Sequence, residues 1–143
     1  MRHNPTRHLL HTLRLAPGIV FALVVTVPVQ YVDANSQECT VMGNLGDTTT
    51  CINVKNKGLD INSVKGSFTK PKRFCNWRYD IVYTDINGLA YKTHEGPTHS
   101  GCKQTGNFTV TYNPPFTAET GEVCAQLFEN DTYRKAACVS ILP

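Results

Sequence analysis

CAQLFENDTYRKAAC runs from Cys124 to Cys138. Near its middle, Asn130-Asp131-Thr132 separates two runs rich in apolar residues, which is the pattern of a hairpin turn. A hairpin centred on Asp131 sets Cys124 opposite Cys138. The same register sets Val123 opposite Val139 and Ala125 opposite Ala137, all on the other face. One register explains the cysteine spacing and the apolar pairs together, and it predicts two antiparallel strands tied by a disulfide.

Working outward, CNWRYDIVYTD (75–85) alternates cleanly. Cys75, Trp77, Tyr79, Ile81 and Tyr83 share one face; Asn76, Arg78, Asp80 and Thr84 share the other. Period-2 alternation of this kind is a half-buried strand. Its aromatic stripe reads first as core and second as the lining of a ligand groove. Phe108, Val110 and Tyr112 point inward in the same way. Asn87-Gly88 is a strong hairpin signal, since both residues tolerate positive φ. Strands are expected near 49–55, 59–68, 74–84, 89–93, 107–112, 122–129 and 133–141. No amphipathic helix is apparent. These elements predict an all-β fold: a small antiparallel β-sandwich, immunoglobulin-like or related, with about seven short strands and three disulfides.

The six cysteines are Cys39, Cys51, Cys75, Cys102, Cys124 and Cys138. An even number in a small exported chain implies a disulfide framework. Hairpin arithmetic favours neighbours: Cys39–Cys51 around the turn-rich GNLGD, Cys75–Cys102 around Asn87-Gly88, and Cys124–Cys138. The alternative is a sheet-to-sheet bridge, Cys51–Cys124. It ranks second because Glu122 stands where immunoglobulin domains place a tyrosine.

The N-terminus carries Arg2, Arg7 and Arg14, then the apolar run LAPGIVFALVVTVPV (15–29), then Val32 and Ala34 as small residues before a cleavage point. This reads as a secretory signal peptide over residues 1–34, leaving 35–143 as a single domain in the extracellular space, without a stable membrane anchor. The full chain has a formal charge of +3. The leader's arginines account for most of it, so the remaining domain is close to neutral, which argues against a nucleic-acid binder. A local basic group remains at Lys65, Lys70, Lys72, Arg73 and Arg78. It reads as a solvated loop that blunts a strand edge, or else as a binding patch.

KTHEGPTHSGC (92–102) resembles a zinc-protease motif only in outline. That chemistry needs His-Glu-x-x-His on a helix, so that both imidazoles share a face. Here His94 and His99 are one residue too far apart, and Gly96-Pro97 lies between them. No metal or cofactor is expected. There is no Gly-x-Ser-x-Gly elbow and no phosphate-cradling glycine loop, so no catalytic residue is assigned and an enzyme ranks last. Asn107-Phe108-Thr109 and Asn130-Asp131-Thr132 are glycosylation sequons if the host glycosylates.

CINVKNKGLDINSVKG, CNWRYDIVYTD and GEVCAQLFENDTYRKAACVSI together resemble small exported actinobacterial proteins of unknown function. Trp77-Arg78-Tyr79 is similar to the Trp-Arg-Tyr of the tendamistat-type α-amylase inhibitors. Those are small disulfide-bridged β-sandwiches that block the enzyme with the tripeptide on an exposed turn. That resemblance implies an inhibitor of a secreted hydrolase, although the tripeptide here follows Cys75 inside a predicted strand. Size and cysteines also suit a secreted effector or toxin acting on a host or competitor. The leading expectation is a secreted, non-enzymatic binding protein whose partner is an extracellular protein or glycan. Its binding candidates are Lys70, Lys72, Arg73, Trp77, Arg78, Tyr79, His94 and His99, carried on loops of a rigid scaffold. Oligomeric state is not readable from the sequence.

Overall fold

The computed structural model describes residues 33–43 and 48–143. The expected signal peptide lies outside them except for its last two residues, as does most of the GNLGD turn. The strands are β1 Asp33–Met42, β2 Thr48–Lys57, β3 Asp60–Asp85, β4 Ala90–Glu95, β5 His99–Thr117, β6 Gly121–Glu129 and β7 Thr132–Ile141. All pairings are antiparallel.

The all-β expectation holds, but the strands belong to one sheet where two were expected. The order is β1-β2-β3-β6-β7, with β4 and β5 also paired to β3. The cause is the length of β3, which is 26 residues. Its first half lies between β2 and β5. Its second half lies between β6 and β4. The sheet curls so that the two halves face one another. Phe68 from the first half packs edge-on against Trp77 from the second, with ring centroids 5.0 Å apart. The Thr50 hydroxyl meets the Tyr79 hydroxyl at 2.7 Å in the buried interior.

The segments 59–68 and 74–84, expected as separate strands, are therefore one. The Lys70–Arg73 stretch between them is a bulge in β3, not a loop. Thr69 pairs with Thr105 and Phe74 with Lys103, so four residues of β3 are opposed by Gln104 alone. Gln104 donates its side-chain N–H to the Pro71 carbonyl at 3.1 Å. Pro71 has no amide hydrogen to lose from the ladder, which suits a bulge.

β1 is a strand the sequence reading did not assign. Asp33–Met42 lacks an apolar alternation, and its Met42 alone joins the hydrophobic core. It is held by a ten-residue ladder to β2 and by the Cys39–Cys51 bridge. The expected cleavage after Ala34 falls at its start and would leave Cys39 in place.

The hairpin registers are close to expectation. β6 and β7 pair Cys124 with Cys138, Val123 with Val139 and Ala125 with Ala137. The register slips by one beyond Leu127, because Asn130 and Asp131 both take left-handed φ (49° and 59°) and make a two-residue turn. At the β3–β4 turn only Gly88 is left-handed (φ 78°). The loop is held by Asp85, whose carboxylate accepts the amide hydrogens of Asn87 and Leu89 at 2.8 and 2.9 Å. All three bridges join neighbours: Cys39–Cys51, Cys75–Cys102 and Cys124–Cys138. The second joins β3 to β5, and β4 is not involved, because β4 and β5 follow one another along the same edge of β3.

Candidate functional site

Most of the expected binding residues are already engaged inside the molecule. Trp77 and Tyr79 are 3% and 0% exposed. They lie on the concave side of the sheet, so the tripeptide is not displayed on a turn. Arg78 projects the other way, but its guanidinium pairs with Asp80 at 3.1 Å and with Asp131, and lies 4.2 Å from the Phe128 ring centre. Lys70 lies 4.0 Å from Glu129 and 4.6 Å above the Phe74 ring. Glu129 is a buried hub. It accepts the Cys75 amide hydrogen at 2.9 Å and pairs with Arg134 at 3.2 Å.

The two histidines stack on different aromatic rings. His94, exposed on β4, lies over Phe108. His99, the first residue of β5, stacks on Trp77 with ring centres 3.9 Å apart. Cys102 is in its disulfide. The three do not form a ligand group among the described residues. The one close group of metal-type donors there is Glu122, Cys124 and Cys138, and its two sulfurs are bonded to each other. Of the expected binding residues, Lys72 and Arg73 are exposed at the β3 bulge and make no side-chain hydrogen bond or ion pair among the described residues.

Cys75 also departs from expectation. Strict alternation puts it on the face of Trp77, yet Phe74 is the fully buried neighbour. The phase resets at Asn76, which has φ 46°. Its side chain donates to Asn130 at 2.8 Å and accepts from the Gly101 amide at 3.1 Å. Asn76 therefore ties the irregular start of β5 to the β6–β7 turn.

A larger surface emerges from the registers. Directly opposed residues of an antiparallel sheet share a face. On the convex side of β1, β2, the first half of β3 and β5, four rows follow. They are Asn35/Lys55/Ser63/Thr111, Gln37/Asn53/Lys65/Thr109, Cys39/Cys51/Ser67/Asn107 and Val41/Thr49/Thr69/Thr105. Ile52, Val54, Val64, Phe68, Phe108 and Val110 alternate with them and are buried, which confirms the direction. The rows hold amides, hydroxyls, a disulfide, two lysines and, at one corner, the exposed Val41, and no carboxylate. At usual strand spacing the face measures roughly 14 by 20 Å. A shallow groove on it runs between Gln37, Asn53, Lys55, Lys65 and Ser67.

Charge is segregated around this face. Among the described residues outside the expected leader, the half that carries it has Lys55, Lys57, Lys65, Lys70, Lys72, Arg73 and Lys103 against Glu38 and Asp60. The other half carries Asp80, Asp85, Glu95, Glu119, Glu122, Glu129 and Asp131 against Arg78, Lys92, Arg134 and Lys135. Near-neutrality of the domain is thus the sum of a basic and an acidic half. Composition hides this, because strands of both halves alternate along the chain.

No helix among the described residues is long and apolar enough to cross a membrane. Three disulfides are typical of extracellular proteins. No protein-family model, no curated protein and no solved structure matches the chain.

Proposed function

We propose that this protein is a secreted, non-enzymatic binding module that holds an anionic extracellular glycan on the convex face of β1, β2, β3 and β5. The carrying observation is the carboxylate-free grid of hydroxyls and amides around Lys55 and Lys65. Hydroxyl and amide rows supply donors and acceptors for a sugar polymer. The lysines, with Lys72 and Arg73 at the margin, supply attraction for its acidic groups. A sheet pinned by three disulfides presents these groups with little ordering cost on binding. An inhibitor acting through Trp77-Arg78-Tyr79 draws no support from the burial of Trp77 and Tyr79.

The test compares the protein with a Lys55→Glu/Lys65→Glu variant on immobilised polyuronate, sulfated polysaccharide and neutral polysaccharide. Retention on the charged polymers should weaken with salt. The double reversal should weaken it at least about tenfold, since each reversed contact is worth on the order of 1 kcal/mol at a surface. Failure to bind either charged polymer, or equal binding by the variant, would remove this reading.

A further inference from the structure

We propose that β5 is a self-pairing edge, through which two copies of this chain join antiparallel along residues 104–112 into one continuous sheet. β5 pairs with β3 on one side, and its other side has no strand partner among the described residues. An unpaired edge offers a row of N–H and C=O groups that will template another strand unless something guards it.

The other edges are guarded. β1 and β7 lie against each other. β4 is six residues long. It also turns Lys92 inward, opposite Tyr83, with the ammonium 3.3 Å from the Phe116 ring centre. Inward-pointing charge on a short edge strand is a known protection. β5 has no such device along Thr105–Tyr112. Its sequence TGNFTVTY carries no charge and no proline, and its alternating Thr, Phe, Val and Tyr favour strand pairing. Breaks stand only at its ends. Gly101 (φ 85°) and Lys103 lie on one side, and Asn113-Pro114-Pro115 on the other. They leave an open length of about nine residues, more than a typical strand needs.

A second copy suits this edge because the stretch matches itself. For the convex faces to continue across a two-fold axis, inward residues must meet inward residues. Opposed residue numbers must then sum to an even value. A register centred on Phe108 meets that condition. It sets Asn107 opposite Thr109 and Thr105 opposite Thr111, with Gly106 opposite Val110. Hydroxyl and amide pairs meet on the convex side, and no like charges meet. The pairing is isologous and closes at two copies. It does not depend on what the convex face binds. If that face does hold a polymer, the dimer would present two grids in one plane, which raises retention without any new contact.

The experiment uses the disulfide-intact chain, produced without N-glycosylation because Asn107 heads a sequon on this edge. Mass in solution is followed over a wide concentration range by sedimentation, with amide exchange read in parallel. A dimer is expected at the high end, with concentration-dependent protection over residues 105–112. Thr109→Lys puts two ammonium groups near the two-fold axis and should weaken dimerisation at least tenfold. Thr93→Lys, on β4, should leave it unchanged. A monomer throughout overturns the proposal. So does a dimer that both variants weaken equally, or one without protection in β5.

Discussion

Gly66 lies beneath the ring of Tyr79, where the two halves of the curled sheet meet. A β-carbon there would stand 2.9 Å from Tyr79 Cγ. That ring is fully buried, and its hydroxyl is committed to Thr50, so it has no free direction in which to retreat. Burial also pushes the Tyr79 phenol above its ordinary pKa, against the smaller opposing effect of the Thr50 hydrogen bond. Gly66→Ala should therefore cost about 1–3 kcal/mol through overpacking. Chemical denaturation would show this as a lower midpoint with an unchanged slope. An alanine that leaves the midpoint alone would mean that the halves are not packed this closely.

At the scale of elements, two short connections carry more than their length suggests. Asn76 holds a left-handed conformation and links β5 to the β6–β7 turn. Asn76→Gly keeps the backbone and loses the side-chain bonds, at about 1–2 kcal/mol. Asn76→Ala should cost about 1 kcal/mol more, because alanine resists positive φ. Denaturation midpoints of the pair separate backbone strain from hydrogen bonding. The β3–β4 turn is set by Asp85, whose carboxyl is held below the usual carboxylate range mainly by the Leu89 amide, helped by Asn87. A depressed carboxyl stabilises the fold above its unfolded pKa, and the benefit is lost as pH falls through the folded one. Asp85→Ala should therefore lower the melting temperature at neutral pH, and the gap from wild type should close in acid. A gap that stays constant with pH would show that the charged form is not what holds the turn.

For the molecule as a whole, the bridges act on the unfolded chain. Cys75–Cys102 spans 27 residues, and Cys39–Cys51 spans 12. Loop entropy then assigns roughly 3.5 and 2.8 kcal/mol to them. Replacing Cys75 and Cys102 together by serine should cost more than replacing Cys39 and Cys51 together. Equilibrium denaturation of the two double variants tests the order. The reverse order would show that Cys39–Cys51 does more than close a loop, since it also ties β1, with little apolar content, to β2.

Much of the β architecture was readable from the chain. The neighbour disulfides, the β6–β7 register as far as Leu127 and the inward stripe from Trp77 to Tyr83 all follow from local repeats. Alternation and turn chemistry act over a few residues, so a linear pattern reports them well. Tertiary structure decided the rest. Only folding shows that 59–68 and 74–84 are one strand, because a bulge opposite Gln104 and a break look alike in sequence. β1 was missed because an edge strand is held by backbone pairing to β2, which leaves no apolar signature. The candidate site was the least legible. Arg78 and Lys70 looked like free surface charges until Asp80, Asp131 and Glu129 were brought to them. The convex grid is complete only where β5 lies beside strand segments that come well before it in the chain. Whether a polar side chain is available to a partner depends on what the fold places across from it, and a linear pattern does not carry that information.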